Sequence, residues 1–381
     1  MADRSDRGER PAAGRAGGKK RRRLDPTITV VVPVRDGGAL LERCLRKIQT
    51  SHLKPLELIV VDDGSTDGSG DCAQRLGAKV LATEGHRGPA CARNIGARAA
   101  RGDILLFVDA DVCVRRDTTA RVRAAFARDR ELDGLIGSYD DEPSAPNLVS
   151  QYKNLLHCFV HQTGRRRAST FWSGCGAIRR SVFLAHGGFD ESYARPAIED
   201  IELGTRLHHA GHKVSLDPEL RVKHLKRWTF PMLVRSDVFD RALPWTEIIL
   251  RERHMPNDLN LARAQRLSVA LSLAFPLLVV GAVLAPDAAG KILAAVATVA
   301  LLSSIALDAR FYGFLVRRRG LGFALAAMPL HLLYHFYSGL AFGAGVLIYA
   351  WRPAERPATA TIAEPVAAEP ELSVAMSARR R

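Results

Sequence analysis

Ile104-Leu105-Leu106-Phe107-Val108-Asp109-Ala110-Asp111 is an apolar run that ends in two carboxylates one residue apart. A short apolar run bounded by polar residues reads as a buried strand, and open α/β sheets bind ligands beyond the carboxyl ends of their strands. Neighbouring acids repel unless a positive charge lies between them, and a hard divalent cation carrying phosphates is the usual candidate. Asp-x-Asp also occurs in surface turns, capping backbone amides. A second instance weakens that reading: Leu58-Ile59-Val60-Val61 runs into Asp62-Asp63-Gly64-Ser65-Thr66-Asp67-Gly68. Two strands thus deliver acid to one edge.

Working outward, Ile28-Thr29-Val30-Val31-Val32 is a β-branched strand closed by Pro33, and residues 40–51 carry apolar positions at helical spacing before the strand at 58–61. That is a βαβ unit, which favours a parallel sheet with right-handed crossovers. A helix is expected over 71–76, a strand at Lys79-Val80-Leu81 and a helix over 89–101. Strand and helix alternate throughout, the pattern of a nucleotide-binding α/β domain. No Gly-x-Gly-x-x-Gly follows the first strand and no Gly-x-x-x-x-Gly-Lys-Ser/Thr occurs, which argues against dinucleotide and P-loop chemistry. Phosphate must be held otherwise, by a cation on Asp109-Ala110-Asp111 helped by arginines such as Arg93.

The 381 residues carry a net charge of +15, so a nucleic-acid binder has to be considered. Part of the excess sits in a leading arm, residues 1–26, where Lys19-Lys20-Arg21-Arg22-Arg23 follows Gly, Ala and Arg, a composition that cannot bury a core. Residues 1–26 are expected to be disordered, with no signal-peptide stretch. Residues 267–285, 292–307 and 321–350 contain no Asp, Glu, Lys or Arg, and about 20 apolar residues suffice to cross a bilayer. Three membrane segments are expected within 256–351. Arg263, Arg266, Arg310 and Arg317-Arg318-Arg319 flank them, whereas the loop 286–291 is nearly neutral. The positive-inside rule then puts residues 1–266 in the cytoplasm, at the cell membrane, with the basic arm on anionic lipid. Membrane lipids explain the charge better than nucleic acid does. Residues 352–381, rich in Ala, Pro and Glu, read as an unfolded tail. The six cysteines show no Cys-x-x-Cys pairing and read as reduced packing thiols.

Six blocks in order carry a resemblance: Val31-Val32-Pro33-Val34, residues 57–67, Gly88-Pro89-Ala90-Cys91-Ala92-Arg93-Asn94-Ile95-Gly96, Phe107-Val108-Asp109-Ala110-Asp111, Gly187-Gly188-Phe189-Asp190-Glu191, and residues 198–207 with Glu199-Asp200. Over residues 27–228 the chain resembles family 2 glycosyltransferases with the GT-A fold. The resemblance implies an α/β catalytic domain over 27–255, a mainly parallel sheet flanked by helices, followed by C-terminal transmembrane helices. It implies that Pro33, Val34 and Arg35, with Asp62 and Asp63, hold the base and ribose of a sugar nucleotide, usually uridine-based. Arg93 would lie near the diphosphate, Asp109 on the ribose side, and Asp111 on a Mg²⁺ or Mn²⁺ ion. Asp200, beside Glu199, matches the base that deprotonates the acceptor hydroxyl, which implies inversion. Independently, Glu199-Asp200 opens a predicted helix, where the dipole favours carboxylates; a helix-start acid without chemistry is the alternative.

Two departures matter. Arg35-Asp36 stands where many relatives have Tyr-Asn, which softens the uridine inference. His224-Leu225-Lys226-Arg227-Trp228 resembles the Gln-x-x-Arg-Trp block of processive synthases with His in first place, which argues against processivity. His224 is either a third metal ligand or a packing residue. Residues 171–180, with Trp172 and Gly174, match the acceptor-side loop; Trp172 stacks on a sugar or belongs to the core. Arg227 and Trp228 are assigned to the acceptor or diphosphate side. His208, His209 and His212 are explained by a helix end and take no metal, and His331 and His335, one helical turn apart in the third apolar segment, are candidates for a lipid-phosphate contact. The expected activity is transfer of a sugar from a nucleotide-diphosphate donor, in first place a UDP-sugar, to a lipid-linked or membrane-proximal acceptor of the cell envelope. Its rivals are a processive polysaccharide synthase and a non-catalytic membrane scaffold that keeps the fold.

Overall fold

A computed structural model describes residues 25–351 apart from 194, 254 and 256. The expectations of disorder for most of the basic arm and for the tail lie outside the described residues. Eight strands, β1 (Ile28–Val34), β2 (Glu57–Asp62), β3 (Lys79–Ala82), β4 (Ile104–Val108), β5 (Val112–Val114), β6 (Leu132–Tyr139), β7 (Cys175–Arg179) and β8 (Lys213–His224), form one sheet in the order β3-β2-β1-β4-β7-β6-β8-β5. The first four strands pair in parallel, as the βαβ pattern predicts, while β7 runs antiparallel to β4 and β6, and β5 antiparallel to β8. The sheet is therefore mixed.

Both faces of the central strands are covered, which is why they read as continuous apolar runs rather than alternating ones. Val30, Val32, Val60, Leu106 and Val108 enter the core under helix Gly38–Gln49. Val31, Ile59, Val61, Leu105 and Phe107 point the other way, into the core with Phe171, Phe183, Phe189 and Leu203. The period of two in a strand makes this division.

Helix Leu148–Thr163 joins the sheet to the C-terminal helices. Its Tyr152, Leu155 and Leu156 share a third core with Phe311, Tyr312, Leu315, Ala324 and Ala327. Three helices, Arg263–Leu284, Asp287–Leu307 and Leu321–Trp351, are long and apolar enough to cross a membrane. Between the last two lies a helix that the sequence reading treats only as a basic connection, Ala309–Arg319. It docks on the sheet domain: Arg318 pairs with Asp141 at 2.8 Å, and Arg319 Nε donates to Gln151 Oε1 at 2.8 Å.

Candidate active site

The sheet register builds the site. Pairing of β5 with β8 sets Val112 opposite His224, and the Leu225 N–H donates to the Asp111 carbonyl at 2.8 Å. His224 Nε2 thereby stands 3.5 Å from Asp111 Oδ2, with its ring stacked on Tyr139 at a centroid distance of 4.3 Å. Desolvation raises the Asp111 carboxyl, but the hydrogen bond and charge of His224 and the charge of Lys226 outweigh it, and the group lies below its ordinary value. Two ligand atoms each about 2.0–2.2 Å from one ion are roughly 3–4 Å apart, so Asp111 and His224 fit a shared divalent cation.

Asp109 has a different role. Its Oδ1 accepts from Arg93 Nη2 at 2.7 Å, while Arg93 Nη1 donates to Glu199 Oε1 at 2.8 Å. Arg93 is buried against Phe189 and bridges the two acids. Glu199 Oε2 also accepts from the Ala197 N–H at 2.9 Å. Both Glu199 oxygens are thus engaged, and the residue is only 3 % exposed.

Asp200 faces the opening. Its Oδ2 accepts from the Ser173 N–H at 3.0 Å and the Ser173 hydroxyl at 3.2 Å. Desolvation in the enclosed site, then repulsion by Glu199, pushes its carboxyl up to about 6. Ser173 reaches Asp200 because residues 170–171 cross helix Glu199–His209 at Gly204, where an added Cβ would lie 2.1 Å from the Phe171 nitrogen. Gly204→Ala is therefore expected to destabilise the fold by about 1–3 kcal/mol through overpacking, read as a lower thermal midpoint. Ser173→Ala removes one hydrogen bond from a charged acceptor and is expected to move the acid limb of the pH–rate profile upward by roughly one unit, with kcat measured across pH as the check.

Arg93, Asp109, Asp111, Trp172, Glu199, Asp200, His224 and Trp228 line one cavity of about 610 Å³. Trp172 packs edge-on against Tyr139 at 4.9 Å and beside His157 at 4.7 Å, and Gly174 is required under it, since a Cβ there would meet the indole at 2.6 Å. Trp228 is buried with Lys226 Nζ 4.3 Å from its ring. Arg227 is exposed and outside the cavity lining, whereas Lys226, its neighbour in the extended segment, lines the cavity.

The expected base-and-ribose residues lie apart from this cavity. Pro33 and Val34 are buried at the end of β1, Arg35 is exposed and Asp62 accepts from the Ser65 N–H at 2.8 Å. Asp63 is 3 % exposed and accepts from Thr83 Oγ1 at 2.8 Å and the N–H groups of Arg87 and Gly88 at 2.8 and 2.9 Å, with His86 Nδ1 at 2.7 Å. Through these contacts Asp63 holds the loop 83–88 against the end of β2.

Several cavity residues escape the sequence reading. Lys153 pairs with Asp237, which also accepts from Tyr337 Oη at 2.8 Å. Asp237 and Arg241 come from a π-helical turn, Ser236–Ala242, a geometry often found at functional sites. Enclosure pushes His157 well below its ordinary value and His161 down to about 4, so both are neutral. Beyond them the cavity continues between the apolar helices, reaching Val269, Leu273 and Phe342.

The glycosyl transferase family 2 model matches residues 29–187. The validoxylamine A glucosyltransferase of Streptomyces hygroscopicus subsp. jinggangensis is 31% identical over 233 residues, 51% of this chain and 54% of the relative. The pre-mycofactocin glycosyltransferase of Mycobacterium tuberculosis is 31% identical over 219 residues, 52% of this chain and 42% of the relative. The chain spans about half the length of the curated relatives it matches. Among solved structures, a mannosyltransferase of Pyrobaculum calidifontis in complex with GDP-Man and Mn²⁺ aligns over 86% of this chain and 88% of its own, at a TM-score of 0.47 and 20% identity. The matched segment runs from β1 to β7 and contains Arg93, Asp109, Asp111 and Ser173, and over residues 29–187 the chain is similar to the catalytic domain of family 2 glycosyltransferases.

Proposed function

We propose that this chain is a membrane-bound, inverting glycosyltransferase that transfers a sugar from a nucleotide-diphosphate donor, in first place a UDP-sugar, to a lipid-linked acceptor. The observation that carries the proposal is the continuity of the cavity, which runs from Asp111 and Asp200 to Leu273 and Phe342 on the apolar helices. A lipid-linked acceptor needs such a path: a polar end at the carboxylates and an apolar run for its chain. Outward-facing Leu277, Val283 and Leu284 expose 74%, 79% and 78% of their surface, which a bilayer would cover. The docking of Arg318 and Arg319 on the catalytic domain supports placing that domain on the side of the basic loops, the cytoplasmic side by the positive-inside rule.

Asp200, which lines the cavity, accepts the proton of the acceptor hydroxyl, and Ser173 holds its Oδ2. Arg93 keeps Asp109 and Glu199 in place. Asp111 and His224 would hold Mg²⁺ or Mn²⁺, which when bound offsets the charge of the leaving diphosphate. Lys226, Lys153 and Arg241 add positive charge along the wall. The test is a panel of sugar nucleotides offered with Mn²⁺ or Mg²⁺ and membrane lipids. Release of nucleoside diphosphate with label appearing in lipid as a single sugar is expected; a long polymer would favour the processive reading.

A further inference from the structure

Asp308, His331 and His335 form a buried cluster that sugar transfer does not use. Asp308 caps the corner between helices Asp287–Leu307 and Ala309–Arg319, and the two histidines lie one turn apart on Leu321–Trp351, on one face. The three are 2%, 1% and 0% exposed. Charged or polar groups at such depth need partners, and this cluster only partly supplies them. Asp308 Oδ1 accepts from Gln265 Nε2 at 2.9 Å, and its Oδ2 from Ser268 Oγ at 3.2 Å, with His335 Nε2 at 2.9 Å. His331 Nε2 stands 3.6 Å from Oδ1 and has no hydrogen-bond partner, although it is aimed at the carboxylate.

The unpartnered His331 Nε2 beside the carboxylate makes the arrangement fit a ligand set. One carboxylate oxygen and two imidazole nitrogens lie within 4.8 Å of one another, the one such group of three among the described residues. In a tetrahedral zinc site with bonds of about 2.0–2.1 Å, neighbouring ligand atoms are roughly 3.4 Å apart. His331 Nε2 lies 3.6 Å from Asp308 Oδ1 and His335 Nε2 lies 2.9 Å from Oδ2, so a small shift of the carboxylate brings one oxygen to that spacing from both rings. The outer contacts are of the kind that orient ligands: His331 Nδ1 is 2.9 Å from Tyr152 Oη, which fixes Nε2 as the lone-pair nitrogen when Nδ1 donates, while Gln265 and Ser268 hold the carboxylate. A cavity of about 320 Å³ lined by Asp308, His331 and Gln265 gives access and room for a water in the fourth position. Imidazole-rich sets suit zinc and its neighbours rather than magnesium.

We propose that Asp308, His331 and His335 bind a divalent ion of the zinc class, separate from the cation expected at Asp111. The ion ties the corner of the apolar helices to helix Leu148–Thr163 through Tyr152, and so fixes the membrane helices against the catalytic domain. It also replaces the lipid-phosphate contact expected for His331 and His335, since both rings face a carboxylate inside the protein.

The test uses the full chain in detergent, stripped with chelator and reloaded with Zn²⁺ in the presence of excess Mg²⁺. One equivalent of zinc per chain is expected after dialysis, retained by Asp111→Ala and lost at least tenfold by the His331→Ala, His335→Ala double variant and by Asp308→Asn. Co²⁺ in the parent protein should give the visible d–d absorption of a nitrogen and oxygen site, a readout that needs no variant to fold. Failure of the parent to retain zinc, or equal retention by the double variant, would overturn the proposal.

Discussion

Asp200→Asn is expected to lower kcat by about 10²- to 10⁴-fold, the usual worth of a positioned general base, with little change in donor binding. The amide keeps the shape and the Ser173 contacts but cannot take a proton. The wild-type rate should fall about tenfold per pH unit below about 6, where the desolvated Asp200 carboxyl gains its proton, and this limb should be missing from the residual activity of the variant. The same shift fixes a sign for stability. A carboxyl raised in the folded chain binds its proton more tightly there than in the unfolded chain, so its favourable contribution is present at low pH and is lost as pH rises through about 6. At pH 7.5 the charged Asp200 works against the fold, and Asp200→Asn should melt at or above the parent temperature. A pH–rate profile and a thermal melt of the two proteins check both statements. An inactive variant that also melted far below its parent would point to a structural role.

Asp111→Ala is expected to cut turnover roughly 10³-fold, because a cation on a leaving diphosphate supplies several kcal/mol of charge stabilisation and each 1.4 kcal/mol is a factor of ten. Asp111 sits at the turn into β5, whose pairing with β8 brings His224 alongside. Neither backbone pairing depends on its side chain, so the fold should survive. Titrating Mn²⁺ while following nucleoside diphosphate release gives the check: the parent should saturate, whereas the variant should remain low at all concentrations. An unchanged rate at saturating cation would remove Asp111 from the metal.

The parts legible in sequence are those set by local pattern. Apolar runs at 58–61 and 104–108 are strands because they are buried on both faces, and each ends in acids that the sheet must place at one edge. What the sequence could not separate is the use of chemically identical groups. In sequence Asp63 and Glu199 are acids like Asp111 and Asp200, and only the structure shows that the loop 83–88 and Arg93 engage them. Arg227 and Lys226 differ by one position in an extended segment, which decides which one faces the cavity. Ser173, Lys153, Asp237 and Asp308 act through contacts across long stretches of chain. Asp308 breaks no local rule, and only the packing of the helix pair brings it to the histidines. The π-helical turn that presents Asp237 and Arg241 has no periodicity signature of its own.

The proposed function places sugar transfer to a lipid-linked acceptor in the cavity that joins the carboxylates to the apolar helices. Its most direct test is transfer of labelled sugar from a panel of nucleotide donors into the lipid extract of membranes bearing the parent chain or Asp200→Asn, with Mn²⁺ or Mg²⁺ present. The predicted result is label in lipid matched by released nucleoside diphosphate for the parent, and neither for the variant. Equal label from both chains, or none from any donor, would contradict it.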